Sequence, residues 1–223
     1  MSIMPKIYIS AELKTRCPKL RLGCIEANVV VANSGEGLLA EIKECFEFIQ
    51  QSLITEEISK IPAIEASRKA YKACGKDPAR YRLSAEALLR RVVSSKGLYQ
   101  INNVVDQLNL VSATSGFSIG GYDADKIQGD IYFGIGHAEE PYAGIGRGEL
   151  NIENLPAFRD QAGAFGTPTS DSQRTEVGYE TNKFLMILID FGRLDQLELT
   201  KQMSIRLLKE YCQATHINDY NID

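Results

Sequence analysis

The stretch FLMILIDF, residues 184–191, is the most apolar run in the chain. It is far too short to cross a bilayer, which takes about 20 apolar residues in a helix. Its composition and length are those of a buried strand, so the fold must enclose it. The chain has 223 residues, 44% hydrophobic and 24% charged, which is a globular composition in the length range of one large domain. It is read here as a single domain, 1–223.

Around that strand the pattern alternates between short strands and helices. PKIYISAELK and LRLGCIEANVVVAN read as strands, the second rich in β-branched residues. Ser34 is placed to cap a helix through SGEGLLAEIKECFEFIQQSL, with Leu38, Leu39, Ile42, Phe46 and Ile49 on one face. IEASRKAYKACG reads as a helix stopped at Gly75, and Pro78 makes GKDPARYR a loop. Ser84 is the expected N-cap of SAEALLRRVVSSKG, and INNVVDQLNLVSATSG repeats the helical spacing with Val104, Val105, Leu108 and Val111. FSIGGYDADKIQGDIYFGIG and PYAGIGRGELNI predict strands joined by tight glycine turns. Residues 151–183 read as polar loops, and LELTKQMSIRLLKEYCQAT as a closing helix with Leu199, Met203, Leu207 and Tyr211 inward. The sum is α+β.

Charge is unevenly spread. Between residues 68 and 96, nine Lys or Arg face only Asp77 and Glu86, giving +7 in a chain of −4 and leaving −11 for the remainder. Such a split suits one face that meets a polyanion, and equally a pair of solvated helices. Cysteines 17, 24, 45, 74 and 212 show no CxxC pair, and with only His137 and His216 no zinc site or disulfide framework is readable. Free thiols and the lack of a signal-like apolar run after Met1 point to the cytoplasm.

Several constellations invite a chemical reading. GIGRG at 144–148 lacks the following helix that a dinucleotide fingerprint needs, because ELNIENLP comes next, and it reads as a turn; no GK[ST] occurs either. A Cys or Ser triad through His137 would have to assemble in space. The block TPTSDSQRTEVGYETN, 167–182, delivers polar side chains to the start of the buried strand and reads either as a pocket wall or as a plain surface loop. In it Arg174 offers a fork for a carboxylate or phosphate, or pairs with nearby Glu176, while Thr167, Ser170 and Thr175 offer hydroxyls. Asn102, Asp106 and Asn109, spaced by four and three, share a helix face as a polar network that holds neighbouring backbone or meets a ligand.

The run INNVVDQLNLV followed by SGFSIGGYDADKIQGDI resembles the editing module, the third and fourth domains, of the bacterial phenylalanyl-tRNA synthetase beta subunit. Ile101 to Asp106, Asn109, Gly116, Asp123, Asp125 to Ile127 and Gly129 carry the match. GKDPARYRLSAEALLRR and SQRTEVGYETNKFLMILID look like free-standing relatives of that module, so the resemblance runs from about 65 to 190.

The resemblance implies an α+β fold with mixed and antiparallel sheets and helices packed on one face, and a pocket that receives an aminoacylated tRNA end and hydrolyses an ester of wrongly attached tyrosine, with no cofactor and no metal. It makes tRNA the expected partner, with neither membrane nor DNA involved. By this reading Gly120, Gly121, Gly166, Thr167, Ser170, Gln173, Arg174 and Thr175 bind substrate, while Lys72, Lys76, Arg80, Arg82, Arg90 and Arg91 meet tRNA phosphates. Tyr81, between Arg80 and Arg82, either stacks on a base or anchors the loop. Where the family has a histidine in an LHAFD-like turn, this chain has Gly120 in IGGYD, which removes an imidazole and is expected to open space. The catalytic group is left unassigned. The alternative function is a non-catalytic module that holds tRNA or an amino-acid-like molecule.

Overall fold

The computed structural model describes residues 5–223. At its centre is β9 (Lys183–Asp190), the predicted apolar strand. Alternate side chains of a strand point to opposite faces. Here Phe184, Met186 and Leu188 join one hydrophobic core, and Leu185, Ile187 and Ile189 join another. On its two sides β9 pairs antiparallel with β2 (Arg21–Asn28) and β3 (Ser118–Asp123), and β10 (Thr215–Ile222) completes a sheet of order β10-β2-β9-β3.

A second sheet of order β1-β4-β7-β8 contains β1 (Ile7–Ile9), β4 (Ile131–Ile135), β7 (Pro156–Asp160) and β8 (Gly163–Gly166), and only its β1–β4 pair is parallel. It contributes Ile7, Ile9, Ile131, Phe133, Phe158 and Phe165 to the core it shares with one face of β9. Phe133 stacks on Phe158 at 4.0 Å, and Tyr122 meets Phe165 edge-on at 4.9 Å. Such aromatic pairs add to area burial.

The opposite face of β9 is covered by α2 (Glu36–Ser52), α4 (Ser84–Val93), α5 (Asn103–Ser115) and α6 (Gln196–Tyr211). Helices, sheet and second sheet thus form three layers, the α+β arrangement that the pattern predicts, with the mixed sheets that the resemblance implies. Two further helices, α1 (Ala11–Arg16) and α3 (Pro62–Ala73), border the core between the sheets with Leu13 and Ala70. No helix among the described residues is long and apolar enough to cross a membrane.

Several elements differ from expectation. PKIYISAELK splits after three strand residues, because the Ser10 hydroxyl caps α1 by accepting the Leu13 N–H at 3.2 Å. Ser34 does not cap α2; its hydroxyl donates to Asp106 at 2.6 Å, and Gly35 takes the cap position. Ser84 is the first residue of α4, its N–H held by the Pro168 carbonyl at 2.8 Å. In α6, Leu199 is 75% exposed, and Leu197, Ser204, Leu207 and Leu208 turn inward with Lys201. Leu207 is buried, and Met203 and Tyr211 are half-buried against the core; a strict four-residue spacing advances about 40° per step around a helix, so the row drifts and its first member, Leu199, falls outside the buried face. The polar segment 151–183 contains β7 and β8, and the chain closes on β10 instead of on a helix.

The α5 network also differs in membership. The Asn102 side chain caps the helix by accepting the Val105 N–H at 2.9 Å, and Asp106 accepts the Ile101 N–H at 3.0 Å. Asn109 makes no side-chain hydrogen bond among the described residues and lines a shallow groove with Leu39 and Ile42. The stronger fastener is Asn103, which accepts from the Ala32 N–H at 2.9 Å and donates to the carbonyls of Val30, at 2.9 Å, and Tyr211, at 2.8 Å. One amide therefore ties the chain beyond β2, the start of α5 and the end of α6. Asn103→Ala strands one N–H and two carbonyls, each costing about 1–3 kcal/mol if left unpaired. We expect a loss of roughly 2–5 kcal/mol in urea unfolding, against under about 1 kcal/mol for Asn109→Ala.

Candidate functional site

The basic segment is α3, a loop and α4, and much of its charge is used internally. Glu86, buried in the first turn of α4, accepts from Arg68 at 2.8 Å and from Arg90 at 3.1 Å. A buried carboxylate requires such partners. Arg91 donates to the Gly97 carbonyl at 3.2 Å and lies over the Tyr99 ring at 4.9 Å. Lys76, expected at a phosphate, is 8% exposed: its ammonium reaches the carbonyls of Asn151, at 3.3 Å, and Glu153, at 2.5 Å, and sits 3.9 Å over the Tyr81 ring. That corrects the expectation for Lys76, and for Tyr81 it favours the second of its two readings, the loop's anchor. Lys72, Arg80 and Arg82 are exposed and make no ion pair among the described residues.

Lys76 is also a tether. It holds the loop 75–82 against the segment 151–154, and two more bonds join the helices to the polar block: Tyr71 and Thr169 share a hydroxyl hydrogen bond at 2.8 Å, and the Ser84 N–H reaches Pro168. Asn151 and Glu153 of that segment also line a cleft of about 1010 Å³, together with Glu139, Glu140, Glu149, Ser172 and Arg174. The exposed cations of the loop are thereby set beside a cleft whose own wall is acidic. Burial pushes the Glu140 carboxyl up, but hydrogen bonds from Arg159 and the His137 N–H carry it below its ordinary value.

The polar block forms one wall of this cleft only in part. Ser172 and Arg174 line it, and Gln173 is exposed beside them. Arg174 forks onto the buried Asp160 at 2.8 and 3.0 Å and not onto Glu176, and it reaches the Gly163 carbonyl at 3.1 Å. Its charge is therefore already half answered. The Thr167 hydroxyl donates to the Ser170 carbonyl at 2.9 Å and receives the Ser170 N–H at 3.1 Å, so it closes its own turn. Thr175 is fully buried, with no partner for its hydroxyl among the described residues. Both depart from the substrate-contacting role expected of them.

Gly120 and Gly166, expected to shape the pocket, instead flank Tyr122, while Gly121 faces Leu108 on the other side of the strand. A Cβ on Gly120 would lie 2.0 Å from the Tyr122 hydroxyl, and one on Gly166 would lie 2.1 Å from it. Any side chain at position 120 would therefore meet a phenol from two residues along the same strand face, which corrects the expectation of an opening. Tyr122 donates to Asp171 at 3.0 Å, and the Gly121 N–H donates to the same carboxylate at 3.2 Å. The Tyr142 hydroxyl donates to the Ser170 carbonyl at 2.6 Å nearby. Burial pushes the Asp171 carboxyl up to about 7, against those two hydrogen bonds, which hold it down. Sequence reasoning missed Tyr122 and Asp171. The signal available was a bulky aromatic two places from a glycine, where strand periodicity puts both on one face.

His137 lies in an exposed turn, and no side-chain hydrogen bond joins it to a serine or cysteine among the described residues. GIGRG forms the turn between β5 (Ala143–Gly144) and β6 (Gly148–Glu149). No cluster of three or more potential metal ligands occurs among the described residues.

A layered α+β fold with this glycine-lined core and adjoining cleft defines the class. The family model of the B3/4 domain matches residues 66–219, and the chain belongs to that family. It is thereby related to the B3/B4 module of phenylalanyl-tRNA synthetase beta subunits. Among solved structures it is similar to a crystal structure of an N-terminal fragment of the phenylalanyl-tRNA synthetase beta subunit from Pyrococcus horikoshii, with 15% identity and a TM-score of 0.48. That similarity covers 100% of this chain, which spans 56% of the fragment. No curated protein matches the sequence.

Two outcomes follow from the Tyr122 cluster. Gly120→Ala and Gly166→Ala each force a methyl into the phenol and should cost about 1–3 kcal/mol or more, whereas Gly178→Ala, with nothing within 4 Å of the added carbon, should be nearly silent. Because the Asp171 carboxyl titrates higher in the folded chain, the stability it contributes is full below about pH 4 and is lost as pH rises through about 7. Asp171→Asn should flatten that part of the pH profile in urea unfolding. An unchanged profile would place the titration elsewhere.

Proposed function

We propose that the chain is an aminoacyl-tRNA editing module, which binds a mischarged tRNA and hydrolyses its ester in trans with a positioned water. The observation that carries the reading is the Lys76 tether, which holds a loop with free cations against the wall of an acidic cleft in a B3/4-family chain. An aminoacyl-tRNA end has matching halves: phosphates for Lys72, Arg80 and Arg82, and an α-ammonium for Glu149 and Glu153. Phosphate contacts position an RNA without reading its sequence. Ser170, Ser172, Gln173 and Arg174 are the proposed contacts to the amino acid or the terminal adenosine. The acidic cleft wall repels phosphate and so favours entry of the aminoacyl end over the RNA backbone.

A second reading, a non-catalytic module that holds tRNA, is favoured by one observation: the Tyr122 phenol fills the space that any side chain at Gly120 would need, so that position offers no catalytic donor. Deacylation of a panel of correctly and wrongly charged tRNAs, beginning with tyrosine on phenylalanine tRNA, separates the two. Editing predicts rapid hydrolysis of at least one mischarged species and slow hydrolysis of its correct counterpart. Binding without hydrolysis across the panel selects the second reading.

Combined replacement of Lys72, Arg80 and Arg82 by Glu should weaken binding to all tRNAs alike. The slope of log affinity against log salt should fall by about 0.7–0.9 for each phosphate that is no longer neutralised. An unaltered slope would leave these cations a solvated face.

A further inference from the structure

Helix α5 carries a buried acid with no cation beside it. Of the other buried carboxylates, Glu86, Asp123 and Asp190 each have an Arg or Lys, at 2.8, 3.5 and 3.1 Å, and Glu26 is held by the Asn218 amide and the Tyr220 phenol. Asp106 is 4% exposed and forms no ion pair among the described residues. Its side chain accepts from the Ser34 hydroxyl at 2.6 Å and from the Ile101 N–H at 3.0 Å. Buried charges are ordinarily paired, and a carboxylate has room for about four hydrogen bonds. Asp106 therefore has both the need and the capacity for a cationic donor.

That acid lines a groove of about 370 Å³ between α2 and α5. Small-molecule sites have volumes of about 300–1,000 Å³. Leu39, Ile42 and Phe46 reach the groove from positions three and four apart on α2, which is one helix face, and Leu98 extends the apolar wall from the segment before α5. Two more groups meet the groove uncommitted. The Asn109 amide, three residues along α5 from Asp106, makes no side-chain hydrogen bond among the described residues. The Lys43 side chain is 77% exposed, and its ion pair with Glu47, at 3.9 Å, joins two solvated groups and restrains it little. None of these residues lines the acidic cleft.

We propose that the groove is a binding site for a free α-amino acid with an aliphatic or aromatic side chain. Its ammonium pairs with Asp106, its carboxylate meets Lys43 and the Asn109 amide, and its side chain packs among Leu39, Ile42, Phe46 and Leu98. The polar groups fix the class. An anion without an amine would face Asp106, an amine without a carboxylate would leave Lys43 and Asn109 unused, and a polar side chain would lose its water against an apolar wall. The ammonium is the stronger anchor, because its partner is buried, whereas Lys43 meets its partner in solvent. The site is independent of the editing reading.

The full chain is titrated with L-leucine and with L-phenylalanine by calorimetry, and amide NMR of the labelled chain locates the bound molecule. Saturable binding is expected, with shifts in 39–46 and 98–109, and no binding of L-serine or L-glutamate. Ligand analogues test Asp106 without disturbing the two bonds it makes to the chain. Isocaproate, which is leucine without its ammonium, should bind at least about tenfold more weakly. L-Leucinamide, which lacks the carboxylate, should bind about 2–5-fold more weakly. Asn109→Ala costs the fold little and should lower leucine affinity about 3–10-fold, while Lys43→Gln should abolish the preference for leucine over leucinamide. No saturable binding of either amino acid at millimolar concentration would overturn the proposal. Shifts confined to the acidic cleft would do the same, as would isocaproate binding as tightly as leucine. Leucinamide binding as tightly as leucine would overturn the amino-acid assignment in favour of a simple amine.

Discussion

Burial of β9 on both faces is the constraint from which the other layers follow. A strand with Phe184, Met186 and Leu188 on one side and Leu185, Ile187 and Ile189 on the other needs a hydrophobic cover twice over. The α2, α4, α5 and α6 helices supply one cover, and the β1-β4-β7-β8 sheet supplies the other. The paired glycines of β3 belong to the same requirement. A Cβ on Gly121 would lie 2.6 Å from Leu108 of α5, and one on Gly120 would strike Tyr122. Successive bare positions let the helix layer close on one side of the strand and the phenol fold back on the other.

Electrostatics follows the same layering. A formal +7 in the segment 68–96 overstates what an RNA could meet, because Arg68 and Arg90 answer Glu86 and Lys76 answers two carbonyls. Those interior bonds offset the desolvation of their own charges and are weak evidence for extra stability. Their value is positional. They hold α3 against α4 and set the loop 75–82 against the segment 151–154, which leaves Lys72, Arg80 and Arg82, with Lys96 beyond α4, as the exposed cations without an ion pair among the described residues.

The parts legible in the sequence are those whose signal is local. Hydrophobic periodicity marks β9 and α5, and Gly116, at φ 76°, stops α5 as a left-handed cap should. The edge strand β10, THINDYNI, escapes a sequence reading because its exposed alternation carries polar residues that mimic a tail, although Tyr220 and Asn218 both bond Glu26 across the pair. Strands β7 and β8 are short and separated by a tight turn, so neither offers enough residues for a period to register. Glu176 is the neighbour of Arg174 in sequence, while its actual partner Asp160 arrives through sheet pairing. Asn103 is hidden beside Asn102 for the same reason, since all three backbone groups it serves are remote in sequence.

The Gly120 position shows where residue-by-residue comparison loses the physics. Aligned against a family histidine, a glycine reads as a vacancy. In the folded chain that volume belongs jointly to Gly120, Gly166 and Tyr122, because residues 120 and 122 share a strand face and β8 brings Gly166 opposite them. Only one of the three can carry bulk there, and Tyr122 carries it, with Asp171 to receive its proton. An imidazole returned to position 120 would therefore need the phenol removed, and removal would leave the raised Asp171 carboxyl with one donor instead of two. A glycine at 120 and a tyrosine at 122 are thus one packing solution, and the polar groups that still face open space lie in the neighbouring cleft, at Ser172 and Arg174.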